Sequence, residues 1–109
     1  MTMSNVEIVY FHDDVRVFIH NLDDVSLQKV YRAFDLIERY GHTLRMPHVR
    51  NLGKNLYELR ILGREHIRFF YTLKTDKAVM LHVFAKKSQR IPLQDLRLAT
   101  ERLRAVART

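Results

Sequence analysis

The fold is decided by three runs of alternating side chains that follow Pro47: LYELRIL at residues 56–62, IRFFYTL at 67–73 and AVMLHVFA at 78–85. In each run the more apolar side chains recur at every second position, which is the period of a β-strand with a buried face. The runs are joined through short links at residues 63–65 and 75–77. Because links of this length connect antiparallel neighbours, the runs predict three consecutive antiparallel strands.

The segments before and after these runs predict one more strand and three helices. The β-branched and aromatic run Glu7–Phe11 predicts a first strand. Two amphipathic patterns follow it and predict helices that begin at Asp13 and near Ser26, the second ending at Gly41. The segment Pro92–Val106, with Pro in its first turn, predicts a C-terminal helix. We therefore predict an α+β fold, a small antiparallel sheet with helices on one side, in the order β-α-α-β-β-β-α.

Residues 1–109 have the composition of a single compact domain, with 47% apolar residues, three Gly, two Pro and no Cys. A chain of this size buries enough surface for one core without disulfides. The absence of Cys rules out thiolate chemistry and favours a reducing compartment. No run approaches the ~20 apolar residues that a membrane span needs. We therefore expect a cytoplasmic protein that contacts no membrane.

The positive charge of the chain is concentrated in the strand region. Between Arg45 and Arg90 there are eleven Lys or Arg and three Asp or Glu, a formal charge of +8, whereas the whole chain carries +7. These cations lie within strand-like runs that are rich in Phe and Tyr. They therefore predict a sheet surface that holds a polyanion, for which RNA and DNA are the commonest candidates.

Strand parity divides the strand residues between a core face and an open face. The more apolar sets belong to the core beneath the helices: Tyr57, Leu59 and Ile61; Ile67, Phe69, Tyr71 and Leu73; Leu81, Val83 and Ala85. The alternate sets then place six chemically useful residues on the open face: Glu58, Arg60, Arg68, His82, Phe84 and Lys86. A one-residue slip in register would reverse the two faces. Phe84 would then be a core residue, and this alternative to its place on the open face stays open.

Four fragments of the sequence resemble one known family. In chain order they are Leu52-Gly53, Leu56–Arg60, Arg68–Tyr71 and Leu81–Pro92. Together with the helix beyond them, they are similar to the HigB-like, phage-derived branch of the RelE/ParE toxin superfamily over roughly residues 5 to 107. Two departures are visible, since Lys54-Asn55 stands where members commonly have a glycine-containing turn and Val83 replaces a frequent Gly. Neither departure changes a charged position.

The resemblance implies the toxin of a type II toxin–antitoxin system. It implies a protein that cleaves mRNA in the ribosomal A site without a metal, with mRNA and the ribosome as partners. It also implies a cognate antitoxin, expected to be of the helix-turn-helix type, that wraps the toxin and blocks it. No cofactor is implied. The residues His12, His42 and His48 lack the spacing of a metal site, so no metal site is expected either.

The residues of the predicted open face have the chemistry that RNA cleavage needs. Attack by the 2′-hydroxyl requires a base for its proton, cations for the phosphorane and an acid for the leaving 5′-oxygen. The guanidinium groups of Arg60 and Arg68 suit the phosphate, and the candidate acids and bases are Lys86, Glu58 and His82. Roles in RNA binding, by base stacking or by backbone contacts, are expected for the remaining candidates: Lys54, Phe84, Lys87 and Arg90.

Simpler roles and other functions stay open at this point. Glu58 would also serve as a surface ion-pair partner of Arg60 or Arg68, and His82 as a structural histidine. Two other classes of protein fit the composition: a ParE-like toxin that binds DNA gyrase without catalysis, and an RNA-binding module without activity. Convergence of Arg60, Arg68 and Lys86 on one surface favours the ribonuclease, and their dispersal over the molecule would exclude it.

Overall fold

The computed structural model describes residues 6–45, 47–90 and 92–109. In chain order these form β1 (Glu7–Tyr10), α1 (Asp13–His20), α2 (Asp24–Tyr40), a 3-10 turn (Gly41–Thr43), β2 (Val49–Gly53), β3 (Leu56–Ile61), β4 (Ile67–Lys74), β5 (Lys77–Ala85) and α3 (Leu93–Ala107). The predicted α+β class is confirmed, as a five-stranded sheet with three helices in the described part of the chain. Ile91, which belongs to the last fragment of the family resemblance, lies outside the described residues. None of the helices within those ranges is both long enough and apolar enough to cross a bilayer.

The five strands form one mixed sheet in the order β1-β5-β4-β3-β2. The strands β2 to β5 pair antiparallel, as predicted for the three central runs, whereas β1 pairs parallel with β5. The sheet is therefore not wholly antiparallel. Alternation of side chains predicts which face of a strand is buried, but it carries no information about the direction of the neighbouring strand.

The edge strand β2 is absent from the sequence prediction. It pairs antiparallel with β3, from Val49 opposite Leu59 to Asn51 opposite Tyr57. Of its five residues only Val49 is buried, so the strand lacks the apolar alternation by which the others are recognised. The turn that joins β2 to β3 has φ values of +53° at Lys54 and +63° at Asn55. Two successive positive φ values are the geometry of a type I′ hairpin turn, so Lys54 and Asn55 replace the glycine turn of the family resemblance.

The start of α2 differs from the prediction by two residues. The predicted N-cap was Ser26, but the helix begins at Asp24, and Asp23 is its cap. The Ser26 N–H donates a hydrogen bond to Asp23 Oδ1 at 2.7 Å. This hydrogen bond lowers the pKa of the Asp23 carboxyl. The helix ends at Gly41, as predicted, where φ is +49°.

Helices cover both faces of the sheet. One face packs against α1 and α2, and the other packs against α3. The expectation that all helices lie on one side is therefore wrong. The reason is that both faces of the strands carry apolar side chains, and the second face needs its own cover. The α3 face of the sheet contributes five buried residues, and α3 contributes four apolar ones: Leu56, Phe70, Val79, Leu81 and Phe84 from the strands; Leu96, Ala99, Leu103 and Val106 from the helix.

A β-bulge in β5 changes the predicted parity of that strand. Phe70 of β4 lies opposite His82, but the next residue, Tyr71, lies opposite Met80, so Leu81 is the extra residue. As a result Met80 and Val83 face α1 and α2, whereas Leu81 faces α3. The prediction that Leu81 shares a face with Val83 is wrong for this reason.

Candidate functional site

A positively charged hollow of about 550 Å³ lies at one end of the sheet. It forms where β3 ends, where β4 begins and where the chain leaves β5. We call this hollow the basic cleft, and eight residues line it: Arg60, Leu62, His66, Arg68, Lys86, Lys87, Ser88 and Gln89. The structure therefore brings Arg60, Arg68 and Lys86 together. Convergence of these three residues on one surface is the arrangement that the ribonuclease hypothesis requires.

Two arginines from adjacent strands form the floor of the basic cleft. Arg60 of β3 and Arg68 of β4 are direct partners in the antiparallel register, so both side chains leave the same face of the sheet. Arg68 is only 4% exposed, and its Nη1 donates a hydrogen bond to the Ile67 carbonyl at 3.1 Å. The Nε groups of both arginines are buried and have no hydrogen-bond partner among the described residues. Both residues line the cleft, so their guanidinium groups can bind an anion that enters it.

The electrostatic environment of Arg68 is set by burial and by two neighbours. Burial lowers the pKa of the Arg68 guanidinium, the negative charge of Glu58 opposes this shift, and the positive charge of Arg60 adds to it. Arginine titrates so far above neutral pH that the group stays charged. Arg68 is therefore a buried, permanent cation that lines an open hollow, which is the arrangement that binds phosphate strongly.

Glu58 lies on the same face of β3 as Arg60 and is only 2% exposed. Its Oε2 has no hydrogen-bond partner among the described residues. Within the same part of the chain, no arginine forms an ion pair with Glu58 within 4.0 Å. The alternative that Glu58 forms a surface ion pair is therefore wrong, because the carboxylate is buried. Its charge acts on Arg68 through the protein interior, where electrostatic interactions are less screened than in water.

Lys86 and Lys87 form the wall of the basic cleft that follows β5. Lys86 is half-buried and Lys87 is exposed. The backbone N–H of Lys86 donates a hydrogen bond to the His66 carbonyl at 3.0 Å. This bond extends the pairing of β4 with β5 by one step and fixes the point at which the lysines leave the sheet. The Lys86 ammonium and the two guanidinium groups give the cleft three cations from three adjacent chain segments.

His66 lines the basic cleft and is absent from the sequence-derived candidates. It lies in the β3–β4 turn, directly before β4, and is exposed. Its φ of +48° is in the left-handed region, which non-glycine residues seldom adopt. Because His66 lies in a turn, strand parity does not apply to it, and the sequence pattern gives no signal beyond its place two residues before Arg68.

His82 and Phe84 do not line the basic cleft. His82 Nε2 lies 2.6 Å from Asp95 Oδ1 of α3, in a hydrogen bond that joins β5 to this helix. Phe84 is 7% exposed and packs between Phe70 and the His82 ring, at centroid distances of 5.3 and 5.8 Å. The sequence left open that His82 is a structural histidine and that Phe84 is a core residue. Both alternatives describe the structure, because α3 covers the part of the sheet where these side chains lie.

The remaining basic candidates differ in their distance from the cleft. Lys54 lies in the β2–β3 turn, at the opposite end of β3 from Arg60. At ~3.3 Å per residue, about 20 Å of chain separates these two positions. Arg90 is exposed in the segment between β5 and α3, beyond the residues that line the cleft. The structure thus groups Lys87 with the arginines, and it does not group Lys54 with them.

The fold and the site together define an α+β protein with a basic cleft at one end of its sheet. The chain belongs to the Gp49-like family of phage derived proteins, whose family model matches residues 17–104. The match spans every residue that lines the basic cleft. This family is related to RelE-like toxins, in agreement with the resemblance seen in the sequence. No curated protein matches the chain.

Proposed function

We propose that this protein is the toxin of a type II toxin–antitoxin system, of the HigB-like branch, and that it is a ribosome-dependent mRNA endoribonuclease. The observation that carries the proposal is the convergence of Arg60, Arg68 and Lys86 on one open cleft. A toxin that only binds a protein target does not require three cations to meet in one hollow. A bound phosphodiester does require them, because its transition state for cleavage carries an additional negative charge.

The cleft residues divide into phosphate-binding groups and proton-transfer groups. Arg60 and Arg68 present forked donors to the non-bridging oxygens of the scissile phosphate, and the buried charge of Glu58 holds these two cations close together. The Lys86 ammonium donates a proton to the 5′-oxygen as it leaves phosphorus. Lys87, at the exposed edge of the cleft, contacts the neighbouring phosphate of the strand.

The same charge provides a means of inhibition by an antitoxin. A cognate antitoxin that inserts an acidic segment into the basic cleft would neutralise Arg60, Arg68 and Lys86 and exclude RNA from them. Substrate and antitoxin would then compete for one surface. We expect the antitoxin to be a small helix-turn-helix protein encoded beside the toxin.

Induced expression in growing bacteria tests the proposed function. We expect the wild-type chain to arrest growth and to produce breaks within translated codons, mapped by primer extension on cellular mRNA. Arg68→Ala should abolish both effects. Arg32→Ala is the matched control, because it removes one exposed cation from α2, which contributes nothing to the basic cleft. Purified variants are compared by circular dichroism to establish that each is folded.

Three outcomes separate the possible functions. Breaks in translated mRNA that depend on Arg68 support the endoribonuclease. DNA damage without mRNA breaks would overturn the proposal in favour of a gyrase-binding toxin. RNA binding without growth arrest, DNA damage or mRNA breaks would overturn it in favour of an RNA-binding module.

A further inference from the structure

We infer that His66 is the general base of the basic cleft, the group that takes the proton from the attacking 2′-hydroxyl. The inference rests on the proposed function. It concerns a residue that neither the family model nor the sequence pattern singles out.

The position of His66 gives it access to a strand bound in the cleft. It lines the basic cleft and also an adjacent hollow of about 540 Å³ beside the end of α1. Its side chain therefore stands on the ridge between the two hollows, together with Lys86 and Lys87, which line both. A strand that occupies both hollows and contacts Arg68 through a phosphate would pass this ridge, and the role inferred for His66 places the sugar that precedes this phosphate beside the imidazole.

Backbone contacts hold the turn that carries His66. His66 has a φ of +48°, and its carbonyl accepts the hydrogen bond from the Lys86 N–H. On the other side of the same turn, the Lys29 ammonium of α2 donates to the Leu62 carbonyl at 3.2 Å. A non-glycine residue held in the left-handed region by surrounding contacts is typical of functional sites, where the contacts compensate for the strain.

The other candidate acids and bases are less suitable as the base. His82 lies outside the cleft and is hydrogen-bonded to Asp95. Glu58 is buried beneath the arginines and is not among the residues that line the cleft. Lys86 already serves as the acid in the proposed function. Histidine is the side chain whose ordinary titration lies between pH 5 and 8, so much of it is available at neutral pH to accept a proton.

Charged groups on several segments surround the imidazole. The residues of both hollows contribute five cations and one carboxylate: Arg60, Arg64, Arg68, Lys86, Lys87 and Glu65. Phe18 of α1 is uncharged, and so are Asn21 and Leu22, which follow this helix beside the second hollow. The net positive charge of these surroundings favours the approach of an RNA phosphate to the ridge.

The reaction step balances with the groups present. The 2′-oxygen forms a bond to phosphorus, and its proton passes to the His66 imidazole. The bond between phosphorus and the 5′-oxygen breaks, and that oxygen takes a proton from the Lys86 ammonium. The products are a 2′,3′-cyclic phosphate and a 5′-hydroxyl. His66 then loses its proton to water, and Lys86 regains one.

The test uses purified protein and ribosomes programmed with a short mRNA. His66→Asn is the main variant because asparagine tolerates a positive φ and so preserves the turn. We expect its cleavage rate constant to fall about 100-fold, while its affinity for the programmed ribosomes stays within about twofold. The matched control is His42→Asn, which removes an exposed histidine from the 3-10 turn and should cleave like the wild type.

Two further measurements distinguish a base from a structural residue. The pH profile of the wild-type rate should differ from that of His66→Asn, because a general base is inactive when it is protonated and asparagine does not titrate. His66→Gly keeps the turn geometry and leaves a space, so added imidazole should restore part of its rate. Suppose that the wild type cleaves the mRNA and that His66→Asn cleaves it at the same rate with the same pH profile. The role of His66 as the base is then overturned, whereas the proposed endoribonuclease activity is retained. A wild type that cleaves no programmed mRNA overturns both.

Discussion

Arg60 and Arg68 lie directly opposite each other on adjacent antiparallel strands, with their Nε groups buried and without a partner among the described residues. Like charges at opposing positions of a sheet destabilise the pair. The buried carboxylate of Glu58 offsets part of this repulsion. A bound phosphate would offset the rest, so the arrangement favours a function in which an anion occupies the cleft over one in which the cations only face solvent.

The geometry of the Arg68 side chain, beyond its charge, should be essential for cleavage. Arg68→Lys keeps the charge that interacts with Glu58 but replaces the planar fork by a point charge, which cannot form two parallel hydrogen bonds to phosphate. We expect the rate of mRNA cleavage to fall about 100-fold while the fold is retained. Arg104→Lys, on the exposed side of α3, is the matched control. Cleavage by Arg68→Lys at the wild-type rate would contradict phosphate clamping by this residue.

Glu58 should contribute to stability through its charge on Arg68. We expect Glu58→Gln to lower the free energy of unfolding by about 2 kcal/mol, because the buried guanidinium then lacks its compensating charge. In an Arg68→Met background the same substitution should cost less than half as much. Urea denaturation of the four proteins of this cycle measures both values. Equal costs in the two backgrounds would show that Glu58 acts independently of Arg68. Glu65→Gln, in the exposed β3–β4 turn, serves as the control.

The sequence predicts the fold where periodicity is strong and fails where tertiary contacts decide. The runs that became β3, β4 and β5 alternate clearly, and their predicted bounds agree with the structure to within one residue. β2 is an exposed edge strand without alternation, so its pairing with β3 depends on the type I′ turn at Lys54 and Asn55. The bulge at Leu81 has no signature in the sequence, because it depends on how β5 pairs with β4.

The candidate site was predictable to the same extent. Parity places Arg60, Arg68 and Lys86 on one face, and the structure groups them in the basic cleft. Parity also adds His82 and Phe84 to that face, but it cannot predict that α3 crosses the sheet there and covers both. Because α3 packs on the predicted open face, it buries some of the side chains of that face and leaves the others in the basic cleft. Only the three-dimensional path of the chain fixes that division.

The pairing of Asp14 with Arg102 should make stability depend on pH in the acid range. The two side chains join α1 to α3 through hydrogen bonds of 3.0 and 2.6 Å. The hydrogen bond from Arg102 lowers the pKa of Asp14 in the folded protein, so the unfolded chain binds a proton more readily. The stabilisation is therefore present above the ordinary pKa of aspartate and is lost as the pH falls through the lower, folded value.

We expect Asp14→Asn to lower the free energy of unfolding at pH 7 by about 1 kcal/mol, a modest value because the carboxylate is about half exposed. The difference from the wild type should begin to shrink as the pH falls below about 4, where Asp14 of the unfolded chain takes up a proton, and should vanish below the lower pKa of the folded protein. Thermal unfolding of both proteins between pH 7 and pH 2 measures this. A difference that stays constant over this range would contradict an ionic contribution.

Phe84 should contribute to stability and leave RNA cleavage unchanged. The ring is 7% exposed and packs between Phe70 and His82 beneath α3, where a nucleobase has no access to its face. Phe84→Leu should therefore lower the free energy of unfolding by about 1 to 2 kcal/mol through lost packing. Its cleavage rate at a temperature where the variant is fully folded should equal that of the wild type. Tyr31→Leu, an exposed aromatic residue of α2, is the control and should change neither quantity. If Phe84→Leu kept its stability but lost affinity for RNA, the ring would be a stacking surface, and α3 would have to leave this face of the sheet when RNA binds.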